Sequence, residues 1–279
     1  MRGMLRSRDG FTLSEVMVAL VLTAVIGAAV TGVFISQVKF YDAQEKASSA
    51  RGVSRGAVNM LMSELRMLDG TNGVIAANDT LLTARVPYAM GLTCRANGTA
   101  MFVSRLPADP VMLASAGHSG FAYRAANGTY TFVDNAPAGA QLTTGILSRC
   151  AAENVTIVSG GGIEWRVPTS ETPDIGAPIF FYQNITYTFR ASTLVPGTRA
   201  LWRRIEATGV TEELVAPFDT TARFRYYVAD AEDATDVPAD LTTITGVELT
   251  LDGLSERRTA TGSATSSPFR TSVFFRNRL

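Results

Sequence analysis

The sequence predicts an α+β chain: a long N-terminal helix, its first half transmembrane, packed on an antiparallel β-rich globular domain. Three observations carry this expectation. An uncharged run extends from Val16 to Val38. Apolar residues then recur at 3-4 spacing through Leu68. From Val74 onward the pattern changes to short β-type runs separated by turn residues.

Residues 1–10, MRGMLRSRDG, are short, polar and basic, with Arg2, Arg6 and Arg8 against Asp9. The positive-inside rule keeps such a segment in the cytoplasm. The run that follows, residues 11–38, contains no Pro, and Glu15 is its one charge. As a helix its uncharged part would be roughly 35 Å long, enough for a bilayer core of about 30 Å with slight tilt. No A-x-A-like cleavage site follows the apolar stretch, as it would in an ordinary secretory signal. Gly10 precedes it instead, so a cut after Gly10 would remove the basic leader and keep the helix. A carboxylate within the bilayer costs roughly 2.5–3.5 kcal/mol on insertion scales, so Glu15 marks a function or has a partner. A Glu in the first turn is also favoured by the helix dipole, and both readings stay open here.

Residues 39–70 form the second, amphipathic half of the helix. Lys39, Asp42, Glu45 and Lys46 bring charge back, and Val53, Ala57, Met60, Leu61, Glu64, Leu65 and Leu68 make a mostly apolar stripe. Gly52 and Gly56 each weaken it by about 1 kcal/mol relative to Ala. Asp69-Gly70 and Asn72-Gly73 form a stop signal. Residues 71–279 read as the β-rich domain. Candidate strands are 81–86, 100–106, 120–124, 129–133, 154–158, 163–167, 179–190, 199–207, 222–228, 246–251 and 270–275. Asn97-Gly98 and Asn127-Gly128 suit hairpin turns, and FFYQNITYTFR has the aromatic and β-branched content of a central strand. The segments 107–119, 136–139, 168–178, 230–240 and 262–268 read as loops.

Composition narrows the function. The formal net charge is zero, and removal of the leader's three Arg and one Asp leaves the rest near −2. No basic surplus points to nucleic acid as a partner. At 46% hydrophobic content the chain suits a globular domain, not disorder. Cys94 and Cys150 follow the membrane run and so fall outside the cytoplasm, where disulfides persist. One intramolecular bridge, contributing about 4 kcal/mol in the chain-entropy model, or two buried thiols are the alternatives. With one His in the chain a zinc site is not expected, and no cofactor is. His118-Ser119, in A-G-H-S-G, is not a nucleophile-elbow motif and reads as a surface loop. Ser159-Gly160-Gly161-Gly162 lacks the Lys-Ser/Thr of a phosphate-binding loop. Asp230, Glu232, Asp233, Asp236 and Asp240 form an acidic loop without the spacing of an EF-hand; a solvated loop is the first reading and calcium binding the second. No catalytic constellation emerges.

Gly10, Phe11, Thr12, Leu13 and Glu15, followed by about twenty apolar residues, resemble the class III signal of type IV prepilins residue by residue. The resemblance implies a pilin-like fold, cleavage between Gly10 and Phe11 by a prepilin peptidase, and N-methylation of Phe11. It implies a single-pass inner-membrane protein with its C-terminal domain in the periplasm, and assembly in which Glu15 pairs with the N-terminal amine of a neighbour. It also implies a prokaryote, which discounts Asn184-Ile185-Thr186 as a glycosylation acceptor.

A looser resemblance covers the C-terminal part. Residues 200–204 (ALWRR), Glu213-Leu214-Val215, residues 224–227 (FRYY), 246–251 (GVELTL) and 272–279 (SVFFRNRL) are similar to PilW-type minor pilins and J-class secretion pseudopilins. Residues 74–180 match nothing in that pattern and read as an insertion. The implied function is a structural, non-catalytic minor pilin that helps initiate or cap a type IV pilus, with the pilus tip as a further location. The alternatives are a type II secretion minor pseudopilin and a membrane-tethered adhesion module. The implied partners are other minor and major pilins, the prepilin peptidase, the inner-membrane assembly machinery and the lipid bilayer.

Overall fold

A computed structural model describes residues 11–106, 116–142, 148–155, 163–229, 231–258 and 264–275. Several features expected above lie outside the described residues: the leader with Gly10, Asp230, the 159–162 glycine run, residues 156–158 and the tail from Arg276. The chain divides into two compact units, Met1–Ser48 and Ser49–Leu279.

Helix α1 spans Leu13–Leu65. The first unit contains its apolar part, whose most apolar eighteen-residue window has mean hydropathy 2.5 and is exposed among the described residues. In the second unit the helix buries one stripe. Ala57, Leu61, Leu65 and Leu68 are fully covered at 3-4 spacing, and Val58 nearly so. Gly52 and Gly56 remain helical because this stripe, not local propensity, holds the turn in place. The helix ends at Leu65, five residues before the expected boundary. Beyond it the Asp69 carboxylate accepts the N–H groups of Thr71 and Asn72, both at 2.9 Å.

Thirteen strands among the described residues form one sheet, and the pairings described are antiparallel. They are β1 (Val74–Ala77), β2 (Leu81–Ala96), β3 (Ala100–Arg105), β4 (Gly120–Arg124), β5 (Tyr130–Asp134), β6 (Ala140–Gln141), β7 (Ile163–Pro168), β8 (Pro178–Ala191), β9 (Arg199–Ile205), β10 (Thr211–Phe218), β11 (Arg223–Val228), β12 (Ile244–Arg258) and β13 (Ala264–Phe274). A short helix α2 (Ser148–Ala152) precedes β7, and a 3-10 turn (Leu241–Thr243) precedes β12. The main order is β11-β12-β10-β9-β8-β2-β3-β7-β6, with β13 on β12, β1 on β2, and the β4–β5 hairpin on β8.

The long strands β2 and β8 pair along most of their length, from Leu81↔Thr188 to Leu92↔Pro178, and serve two lobes. In the helix-side lobe the α1 stripe closes over Leu82, Ala84, Ile185, Phe224, Leu249 and neighbouring residues. The crossing is close at Gly253 of β12. A Cβ there would lie 2.2 Å from the Ala50 carbonyl oxygen and 2.6 Å from Ser54 Oγ. Ser54 Oγ instead donates to Leu251 O at 3.2 Å. Side chains alternate along β12: Val247, Leu249 and Leu251 join the core, while Glu248 meets Arg225 at 3.2 Å, Arg270 at 2.7 Å and the Tyr227 hydroxyl at 3.1 Å. Burial alone would raise the Glu248 carboxyl, but Arg270 and Tyr227 hold it below the ordinary carboxylate range.

The distal lobe is built from β3–β7 and the adjoining ends of β2 and β8. Met101, Val103, Phe121, Val167, Ile179 and Phe181 form one core cluster, and Cys94, Ala100, Phe102, Cys150 and Val155 a second. Arg105 is fully buried, its guanidinium carbon 4.3 Å from the Phe181 ring centroid and 5.1 Å from that of Trp165. Between the lobes, Arg85 binds Asp134 at 2.8 Å, and the Tyr182 hydroxyl donates to the same carboxylate at 2.7 Å.

The strand pattern differs from the sequence expectation at identifiable points. β2 runs ten residues beyond Val86, passing Pro87 at a register shift before Ala89. Such a bulge lets a strand carry a Pro. β1, β6 and β10 were not expected. Instead of a strand starting at Asn154, helix α2 ends at Ala152 and Asn154 turns the chain with φ 56°. Part of the expected 262–268 loop is strand, since β13 begins at Ala264.

Candidate functional site

The start of α1 is a capping box. Thr12 is the N-cap: its hydroxyl lies 3.3 Å from the Glu15 N–H. Glu15, three residues on, reaches back so that its Oε2 accepts the Thr12 N–H and the Thr12 hydroxyl, both at 2.9 Å. This reciprocal pair satisfies donors that a helix start leaves open, and the carboxylate sits where the helix dipole favours negative charge. Both interactions follow from the Thr-x-x-Glu spacing.

Phe11 and Leu13 flank the cap almost fully exposed, at 87% and 83%. Two hydroxyls of the uncharged stretch beyond them are satisfied within the helix. Thr23 donates to Ala19 O at 2.7 Å and Thr31 to Gly27 O at 2.8 Å, so neither hydroxyl needs a partner outside the helix. Among the described residues, nothing beyond the helix's own local backbone approaches within 4 Å of a Cβ built at Gly27 or Gly32. The segment therefore presents an apolar surface, a satisfied backbone and one acid at its tip. That chemistry suits lipid or a matching apolar helix, with one ionic contact point.

Cys94 on β2 and Cys150 on α2 are joined by a disulfide, with a Cα–Cα distance of 4.8 Å across 56 residues of sequence. It ties α2 to the distal sheet far from the capped helix start in sequence. Ser119 Oγ accepts the Asn184 N–H at 2.9 Å, and His118 is fixed on both ring nitrogens. Ala136 O, 2.9 Å away, can only accept, so Nε2 carries the proton and Nδ1 accepts the Tyr88 hydroxyl at 2.7 Å. Burial lowers the imidazole pKa and raises that of Tyr88. His118 and Ser119 thus hold loop to sheet.

In the acidic loop, Asp236 pairs with Arg225 at 3.1 Å, and Asp240 caps the 3-10 turn by accepting the Thr242 N–H at 2.9 Å. Among the described residues no three His, Cys, Asp or Glu side chains converge on a point where they could hold a metal ion. The Thr12 cap escaped sequence reasoning, and so did a second feature. Glu64 falls in the apolar stripe of α1 and faces Arg203 of β9 at 3.5 Å, beside a surface groove. The only sequence signal was an acid in an otherwise apolar spacing.

Residues 5–31 match the family model described as the prokaryotic N-terminal methylation motif, which is typical of type IV prepilin-like proteins. No curated protein and no solved structure matches the chain. The motif and the apolar helix support a membrane-anchored, single-pass protein similar to type IV pilins in its N-terminal segment, and the motif points to a structural role.

Proposed function

We propose that this protein is a minor pilin of PilW type that helps initiate or cap a type IV pilus. In this reading a prepilin peptidase cuts between Gly10 and Phe11 and methylates the new amine. The helix anchors the protein in the inner membrane with the β-domain in the periplasm, and Glu15 pairs with the Phe11 amine of a neighbouring pilin. The observation that carries the reading is the capped Thr12–Glu15 helix start, which lies within the matched motif and heads an uncovered apolar helix. The PilW-like segments support the finer assignment by their placement: 200–204 on β9, 213–215 on β10, 224–227 on β11 and 246–251 on β12 lie on connected strands of the helix-side lobe.

Intact mass on native membranes should show a chain beginning at Phe11 with one added methyl; a mature N-terminus beyond residue 38 would refute the processing. Glu15 variants separate its two roles. Glu15→Gln keeps a side chain that can complete the capping box but removes the charge. It should be inserted and processed normally yet fail to co-purify with other pilins after crosslinking, because the neighbour's amine is left unpaired. Wild-type assembly by Glu15→Gln would reduce Glu15 to a helix cap.

A further inference from the structure

Among the described residues, β1, β5, β6, β11 and β13 each pair with a single neighbour. A strand in that position leaves a row of N–H and C=O groups that can template another chain, unless it is short or covered. β1, β5 and β6 have four, five and two residues. β11 is covered. Asp79 O accepts the Phe224 N–H at 2.7 Å, and Thr235 exchanges both backbone bonds with Tyr226, at 2.7 and 2.8 Å. β13 has eleven residues and pairs with β12 alone.

The ladder shows which of its groups are free. The Phe275 N–H donates to Thr245 O at 3.1 Å and the Thr265 N–H to Ser255 Oγ at 2.9 Å, so odd-numbered residues bond toward β12. In antiparallel pairing the residues between them turn their own N–H and C=O the other way, here off the edge of the sheet. Pro268 falls in that outward set and has no N–H to offer, which is where an edge strand tolerates a Pro. It guards the first half of the edge. Arg270, Ser272 and Phe274 follow without such a guard, and no described group bonds to their N–H or C=O. The edge is open to solvent here, with the Arg270 side chain 61% and Phe274 53% exposed. The Arg270 guanidinium is drawn inward over the sheet to Glu248, at 2.7 Å, and does not shield the edge.

An extended guest matches this row. Each residue of a strand presents its own N–H and C=O, from two successive peptide groups, on one side. Three alternate guest residues therefore meet the three open positions. Side chains narrow the choice of guest. Phe274 packs on Tyr227, with ring centroids 5.1 Å apart, and offers an apolar neighbour at one end. At the other end Arg270 shares Glu248 with Arg225 and keeps donors to spare. Residues 257–279 contain Arg257, Arg258, Arg270, Arg276 and Arg278 but no Asp or Glu, so a second copy would bring like charge to the edge. We propose that the outer edge of β13, from Arg270 to Phe274, takes up an extended acidic segment of another polypeptide as an added antiparallel strand. An apolar guest residue lies opposite Phe274, a hydroxyl residue opposite Ser272 and an acid opposite Arg270. The edge belongs to the β-domain and does not depend on the pilus reading.

Amide hydrogen exchange on the full chain in nanodiscs reads this edge residue by residue. Without a guest, the Arg270, Ser272 and Phe274 amides should exchange about tenfold faster than those of Thr271 and Val273, which bond to β12. The probe is acetyl-Thr-Phe-Thr-Thr-Thr-Glu-Thr-amide, in which Phe, the central Thr and Glu face β13. At saturation it should slow the three open amides about tenfold and leave Thr271 and Val273 unchanged. Methylating the backbone nitrogens of those three probe residues should abolish the protection. Methylating the two Thr nitrogens between them, which point away from β13, should not. Lys in place of the probe's Glu should weaken binding about threefold. Ser272→Pro removes an outward N–H and leaves the ladder to β12 intact. It should weaken binding about tenfold while the Val247 and Val273 amides stay protected. No protection by the probe would overturn the proposal, as would equal protection by both methylated probes. Protection of the probe-free chain that is lost on dilution would give the edge to a second copy and overturn it too. Equal binding of the Lys probe would overturn the acidic partner.

Discussion

The helix-side and distal lobes share β2 and β8 but bury their faces differently. In the helix-side lobe a 3-4 stripe of α1 covers the sheet, and the core is a single apolar cluster running from Ala57 to Phe275. Among the described residues of the distal lobe, helical cover comes from the five-residue α2. Its apolar groups are split into two smaller clusters, supplemented by the Cys94–Cys150 bridge, the stacked Arg105 and the Tyr88–His118 contact. Small apolar cores leave little margin over chain entropy. A covalent tie acts on that entropy directly, by restricting the unfolded chain. A sheet extended beyond its covering helix needs another source of order, and here cross-links and polar clamps supply it.

The largest expected effect comes from the bridge. Replacing Cys94 and Cys150 with Ala should cost about 4 kcal/mol for a loop of this size. Hydrogen exchange should show the loss in β3, β4 and β7, with β11–β13 still protected. Uniform loss would mean that the two lobes form one cooperative unit. Leu61→Ala should do the reverse, costing about 3 kcal/mol by leaving a cavity under α1, with β11 and β12 losing protection first. Gly253→Ala should cost about 1–3 kcal/mol, because the added methyl would push against the Ala50 backbone and the Ser54 hydroxyl. Denaturant midpoints that match the parent protein would show that the helix shifts without penalty.

The smallest effect is pH-dependent. Since the folded His118 pKa is depressed, the unfolded chain takes up the proton more readily. Stability from this site is complete above the unfolded value of about 6.5 and falls as pH drops from there through the folded pKa. Distal amides near Tyr88 and Ala136 should therefore exchange faster at pH 5 than at pH 7, once corrected for intrinsic rates. His118→Gln should abolish that response. A response confined to the helix-side lobe would contradict the assignment, since His118 and its partners Tyr88 and Ala136 lie outside it.

The anchor was the most legible part of the sequence, because its signals are local. A Thr-x-x-Glu spacing makes its own cap, and an uncharged run needs no distant partner to be a helix. The β-domain was legible where strands alternate or carry aromatics, as in β8 and β11. It was illegible where tertiary context overrides propensity. β10 contains Glu212, Glu213 and Pro217, and is held by its ladder to β9. β2 passes Pro87 by a bulge and Gly91 by a close approach to Val103 and Ser104, each of which reads as a strand end in one dimension. The groove could not be read at all. Glu64, Tyr187 and Arg203 are far apart in sequence and meet only once α1, β8 and β9 are packed.

The β2–β8 ladder has one more consequence. Gly91 faces Ile179 and Leu92 faces Pro178, so the chain leaves the shared strands and rejoins them at adjacent positions, roughly 5 Å apart as in any antiparallel pair. Residues 93–177 thus hang from two neighbouring attachment points, like an inset spliced into a hairpin. Loop-closure entropy rises only about 0.6 kcal/mol for each doubling of length. Evolution could therefore enlarge, trim or exchange this inset as a cassette while the body beneath keeps its strand order and its fit to the helix.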